Sequence, residues 1–138
     1  MFKIEIKHHI FLFCLTTTLW TFFLLGGLSS EYYLLWPFGK SLLLINALPA
    51  IALIPLGYYV LKHIIGHDFI VASFWAAFYA SVPLIFYDYL YIAVHLKVGL
   101  SFFKSHWYLT TFYFIPWVVL PLVAVRISKQ HVETIEEI

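Results

Sequence analysis

Asp88 is the side chain best placed to do chemistry in this chain of 138 residues, because it is the one charged residue inside a long apolar stretch. A charge at the centre of a bilayer costs about 2.5–3.5 kcal/mol on insertion scales, so such residues usually have a function or a specific partner. Tyr87 precedes Asp88, and Tyr91 and His95 follow at spacings that place them on the same face of an α-helix. These four residues form the candidate polar site.

Three interpretations of Asp88 are open on the sequence alone. It can be a structural acid, hydrogen-bonded to a tyrosine or to Lys97 or Lys104. It can be a docking contact to a partner subunit. It can also bind a proton or a cation, as acids do in small transporters. The structural interpretation is the favoured one.

His63 and His67 are a candidate pair of metal ligands. Their i, i+4 spacing places two imidazoles on one helix face, an arrangement common in metal sites. Gly66 lies between them and Lys62 marks the end of the apolar stretch, so the helix need not continue to His67. We therefore expect no metal, with His63 and His67 as the alternative ligand set. His8, His9, His131 and Asp68 are expected on the same side and could complete such a site.

Redox and haem chemistry are not expected. The single cysteine, Cys14, excludes an internal disulfide, a CxxC centre and a zinc site built from cysteines. A haem held between helices needs axial histidines within the membrane, and every histidine lies outside the apolar stretches.

The composition is that of a membrane protein. Hydrophobic residues make up 63% and charged residues only 11%, with a net charge of +1. Soluble domains carry about 45–50% apolar and about 25% charged residues. These values exclude an ordinary soluble enzyme, a disordered chain and a protein that binds nucleic acid.

The charged residues divide the chain into four apolar stretches, residues 10–28, 41–61, 69–94 and 107–125. Each is long enough for a spanning helix, which needs about 20 residues. Apolar residues occupy all sides rather than alternating, so helices are favoured over a membrane barrel. The sequence predicts one domain over residues 1–138, an all-α four-helix transmembrane bundle. Residues 126–138 form a polar C-terminal tail, either a helix leaving the membrane or a frayed end.

Sidedness follows from the basic residues, which favour the cytoplasmic side. Four crossings put both termini on one side. If that side is the inner one, it holds Lys3, Lys7, Lys62, Arg126 and Lys129, against Lys40, Lys97 and Lys104 outside. We therefore predict both termini to be cytoplasmic. The first stretch is longer than the core of a signal peptide and no A-x-A site follows, so we expect it to be a retained helix.

The third stretch is the expected centre of the bundle, because small residues recur on it at helical spacing. Small side chains let helix backbones approach closely in lipid. This packing face consists of Ala72, Ser73, Ala76, Ala77, Ala80 and Ser81.

The favoured function is that of an accessory or scaffolding subunit of a larger membrane complex. Aromatic residues make up 21% of the chain, and together with the small-residue face they offer more contact surface than four helices need for themselves. We expect the subunit to pack against its partners through both kinds of face. We expect partners among lipids and other membrane subunits, with contact to a lipid, quinone or pigment as an option and no nucleic acid. The alternative is a small oligomeric transporter that uses Asp88 as its coupling acid. A third interpretation is a membrane enzyme with a metal on His63 and His67, although a role other than catalysis is favoured.

Overall fold

The computed structural model describes residues 4–30, 40–105 and 107–136. Within these ranges every regular element is a helix, which confirms the all-α class. In chain order the α-helices are α1 (Ile6–Ser30), α2 (Lys40–Tyr59), α3 (Phe69–Asp88), α4 (Phe102–Ser105) and α5 (Trp107–Glu136). A π-helix, Val60–Ile65, continues α2, and another, Tyr89–His95, continues α3. A 3₁₀ turn, Gly99–Ser101, precedes α4.

Three of these helices are long and apolar enough to cross a membrane: Ile6–Leu25, Phe69–His95 and Leu109–Glu136. In the second helix the described apolar stretch is Pro49–Ile65, which is shorter than the about 20 residues that a span needs. The described part of the chain is therefore a helical bundle with three candidate spans.

Helix α1 runs parallel to α3. His9 near the start of α1 lies 3.2 Å from the hydroxyl of Tyr79, measured from Nδ1, and Thr17 lies 2.8 Å from the hydroxyl of Tyr87. Both pairs are 70 residues apart in sequence, so the two helices advance together in the same direction. A third contact between the same helices, Trp20 with Asp88, is 68 residues apart and so lies in nearly the same register.

Helix α5 runs antiparallel to α3. At one end of the bundle the ring of Phe69, the first residue of α3, lies 6.2 Å from the ring of His131. At the other end Tyr113 contacts Asp88, the last residue of α3. Helix α3 therefore lies between α1 and α5 and contacts both.

The small-residue face of α3 lies inside the bundle. Ala72, Ser73, Ala76, Ala77 and Ser81 are buried, and Ala80 is half-buried. The hydroxyls of Ser73 and Ser81 bond to backbone carbonyls of their own helix, those of Ile70 and Ala77, so neither is left unsatisfied. This face is occupied by the chain's own helices.

Close packing of α2 on α5 depends on Gly57. A Cβ atom at this position would lie 2.5 Å from Cδ2 of Leu120, which is buried in the core. The absent side chain therefore makes room for Leu120.

Two helices extend past their predicted limits. Helix α1 begins at Ile6, so it includes His8 and His9. Helix α5 continues without a break to Glu136 through the segment predicted as a polar tail. Lys, Gln and Glu have good helix propensity, so leaving the apolar region does not end a helix.

Candidate functional site

Asp88 joins three helices through its carboxylate. It is the last residue of α3, where the α-helix changes into the π-helix, and it is half-buried. The indole N–H of Trp20 on α1 donates to Oδ1 across 2.9 Å, and the hydroxyl of Tyr113 on α5 donates to Oδ2. An ionised carboxylate accepts on both oxygens, so each donor meets its own acceptor.

A second contact between α1 and α3 lies beside the first. The hydroxyls of Thr17 and Tyr87 are 2.8 Å apart, and the rings of Trp20 and Tyr87 are 5.0 Å apart. We call Thr17, Trp20, Tyr87, Asp88 and Tyr113 the Asp88 cluster. Measured interhelical hydrogen bonds in membranes average about 0.6 kcal/mol and reach about 1.7, so the cluster favours one register of α1, α3 and α5.

The predicted polar site is thus brought together only in part. Tyr87 belongs to the Asp88 cluster. Tyr91 and His95 lie in the following π-helix, where their rings stack at 5.5 Å with an interplanar angle of 23°. A π-helix has a wider turn than an α-helix, so the α-helical face predicted to hold Asp88, Tyr91 and His95 does not continue past Asp88.

Trp20, Thr17 and the particular tyrosine that binds Asp88 were not predicted from the sequence. A tyrosine partner was among the expectations, and Tyr113 fills that role. Trp20 and Thr17 lie within apolar stretches and carry hydrogen-bonding groups, which was the available signal. Their distance from Asp88 depends on the parallel packing of α1 and α3, which no local pattern specifies.

His8, His9 and His67 lie at the end of α1 and α3 opposite to Asp88. His9 contacts Tyr79 through Nδ1 and packs edge-on against the ring of Trp75 at 4.6 Å. His8 is buried, and its ring lies 6.1 Å from that of His67. Helices α1 and α3 are therefore joined by polar contacts at both ends.

The face predicted to carry His63 and His67 together is not formed. The π-helix that contains His63 ends at Ile65, and Gly66 follows in the left-handed conformation with φ of 77°. His63 packs against Tyr59, with ring centres 5.3 Å apart. His67 lies past the end of the helix, in the turn that leads to α3. No three His, Cys, Asp or Glu side chains of the described segments are grouped as a metal site.

An exposed ion pair lies at the start of α1, between Glu5 just before the helix and Lys7 in its first turn. Nζ of Lys7 lies 2.6 Å from Oε2 of Glu5. The hydrogen bond from Lys7 and its positive charge lower the pKa of Glu5, with smaller contributions from His8 and His67. The pair is present above that lowered pKa and is lost as the pH falls through it. Because both side chains are exposed, solvent screens the interaction and it adds little stability.

Comparison of the chain with protein-family models, curated proteins and solved structures gave no match. Function is therefore inferred from the residues and their contacts.

The outward faces of the candidate spans carry large exposed apolar side chains. These include Phe22 and Phe23 on α1, Phe74 and Phe86 on α3, and Phe114 and Trp117 on α5.

Proposed function

We propose that this chain is a small multi-pass integral membrane protein that serves as an accessory or scaffolding subunit of a larger membrane complex. One observation carries the proposal. Asp88, the one charged residue within a predicted span, accepts hydrogen bonds from Trp20 and Tyr113 of its own chain. These bonds to its carboxylate link α1, α3 and α5, which is the role that the structural interpretation of Asp88 describes.

Four crossings with both termini on the inner side are part of the proposal. Helices α1 and α3 are parallel and α5 is antiparallel to them, so an α2 that crosses the membrane completes an alternating bundle. The contacts of His8 with His67 and of Phe69 with His131 put the first and last described turns at one end of the bundle. Lys7, Lys62, Arg126 and Lys129 belong to that end, which supports its assignment to the cytoplasmic side.

The proposed contact surface is the aromatic exterior. The small-residue face of α3 is occupied within the chain, so it is not available to a partner. Exposed rings such as Phe22, Phe86 and Phe114 would pack against neighbouring helices or against a lipid, quinone or pigment. Aromatic side chains contribute a large contact area, which suits a subunit that binds by packing.

Native mass measurement tests the proposal. The untagged chain is extracted from its own membranes in mild detergent. We expect it in an assembly heavier than one chain, and we expect Phe22→Ala with Phe23→Ala to reduce recovery of that assembly. The matched control is Ile135→Ala, which removes an exposed side chain near the C-terminal end of α5. A monodisperse monomer with no recovered partner contradicts the proposal.

A second candidate function, an ion-coupled carrier, is favoured by the position of Asp88 at the change from α-helix to π-helix. Such changes are frequent at functional sites. The test is Asp88→Asn in reconstituted vesicles, since an amide keeps the shape and one acceptor oxygen but cannot carry the charge. Full ion-driven transport by this variant would remove the candidate, and loss of transport in a correctly folded variant would favour it over a scaffold.

A further inference from the structure

His8 is buried and has a ring nitrogen without a hydrogen-bond partner in the part of the chain that the structure describes. Only 4% of its surface is exposed, and its Nδ1 atom has no hydrogen-bond partner within the described residues. Buried polar side-chain atoms in folded proteins nearly always have a partner, so an orphaned one needs an explanation such as a water or an ion. Imidazole nitrogen is a common ligand for transition metals.

The neighbour of His8 is a second imidazole. The ring centres of His8 and His67 are 6.1 Å apart, with an interplanar angle of 64°. A zinc–nitrogen bond of about 2.0–2.1 Å puts each ring centre about 3.2 Å from the ion, so two imidazoles on one zinc have centres at most about 6.4 Å apart. At a tetrahedral angle the separation is about 5.3 Å. The two rings are therefore within about 1 Å of the separation that a shared ion requires.

A carboxylate lies beside the second ring. Oδ2 of Asp68 is 3.5 Å from Nδ1 of His67. In metal sites a ligating histidine usually donates its other ring N–H to a carboxylate, which fixes the tautomer and the ring orientation. Asp68 is placed to do this for His67 and leaves Nε2 for an ion.

We propose that His8 and His67 bind a divalent transition cation, with zinc as the first choice, and that Asp68 positions His67. The described side chains supply two nitrogen ligands rather than a complete set of three, so water fills the remaining positions. Imidazole ligands favour zinc, copper or nickel over calcium and magnesium. The bound ion would join the first turns of α1 to the turn before α3, and the site is independent of the proposed scaffolding role.

The histidines themselves provide matched variants. His67→Ala removes a ligand from an exposed turn. His8→Phe removes the unpaired nitrogen and keeps an aromatic ring in the buried position, so it preserves packing. His63→Ala removes the partner that α-helical spacing assigns to His67, and His131→Ala removes an exposed histidine on α5; both serve as controls.

Zinc binding is measured on the full, untagged chain in detergent, by competition with a chromophoric chelator and by thermal unfolding with and without zinc. We expect one zinc per chain and a higher unfolding temperature when it is bound. His67→Ala and His8→Phe should each weaken binding by at least about 10-fold and abolish the zinc-dependent shift, and Asp68→Ala should weaken it by about 10-fold. His63→Ala and His131→Ala should bind zinc as the unmodified chain does.

Three results would overturn the site. The first is no zinc bound by the unmodified chain at about 100 µM, a level at which a useful site is occupied. The second is full zinc binding by a folded His8→Phe variant, which would mean that a buried water rather than an ion satisfies Nδ1 of His8. The third is an equal loss of zinc affinity in His63→Ala and in His67→Ala. That result would mean that His63 and His67 bind the ion together, as α-helical spacing suggests.

Discussion

The indole N–H of Trp20 donates to Oδ1 of Asp88 across 2.9 Å, and this bond joins two parallel helices that are far apart in sequence. Lipid offers no competing hydrogen bond, and the hydrophobic effect does not hold helices together in a bilayer. Polar contacts of this kind therefore select which helices are neighbours and in which register. Thr17 and Tyr87 form a neighbouring contact in nearly the same register, 70 residues apart against 68 for Trp20 and Asp88.

Trp20→Phe tests the contribution of this bond. The substitution keeps an aromatic ring and removes the donor, so we expect a loss of stability of about 0.6–2 kcal/mol. Thermal unfolding in detergent measures it. Trp117→Phe is the matched control because that side chain is exposed on α5, and it should leave the unfolding temperature nearly unchanged. Equal effects of the two substitutions would show that the bond to Asp88 adds no stability.

Asp88→Leu tests whether the carboxylate holds the bundle together. Leucine is better solvated by lipid than aspartate, but it leaves the donors of Trp20 and Tyr113 without their acceptor. An unsatisfied buried donor costs about 1–3 kcal/mol, so we expect the leucine variant to be less stable than Asp88→Asn, which keeps one acceptor oxygen. Chemical or thermal unfolding measures the stability of the two variants and of the unmodified chain. A leucine variant as stable as the unmodified chain would mean that Asp88 is not a structural acid.

The sequence was sufficient to predict the helical class, because apolar runs without alternation leave no other backbone arrangement in lipid. It also identified Asp88, since one acid in an apolar stretch is conspicuous. It did not identify Trp20, whose apolar ring hides its donor, because the pairing depends on the packing of α1 on α3. His8 and His67 were expected on the same side of the membrane, but their direct pairing depends on the same packing and was not specified.

The π-helices account for the other differences between the predicted and the observed positions of the side chains. Predictions of shared faces used the 3.6-residue turn of an α-helix, which holds through α3 but not beyond Asp88. Tyr91 and His95 follow the wider turn and stack on each other. His63 and His67 are separated where the first π-helix ends at Ile65. Gly66 had indicated that the helix need not reach His67, but local residue types gave no indication of the change to π-helix.

Gly57→Leu is expected to disrupt the packing of α2 on α5. Even the first atom of a side chain would lie 2.5 Å from Leu120, so either Leu120 or the whole helix must move. Overpacking of this kind costs about 1–3 kcal/mol, although leucine is the better helix former. Ala52→Leu on the exposed side of the same helix is the control. The unfolding temperature should fall for Gly57→Leu alone, and an equal fall for both would point to a general intolerance of bulk on α2.

Single-cysteine labelling tests the four crossings. In a Cys14→Ala background, Lys7→Cys and Lys129→Cys should react with a membrane-impermeant maleimide from the same side, because the ring contacts of His8 with His67 and of Phe69 with His131 place both at one end of the bundle. Lys104→Cys, between α3 and α5, should react only from the opposite side. Labelling of Lys7→Cys and Lys129→Cys from opposite sides requires an odd number of crossings. In that case α2 would not span the membrane, and the inner side could not hold both termini.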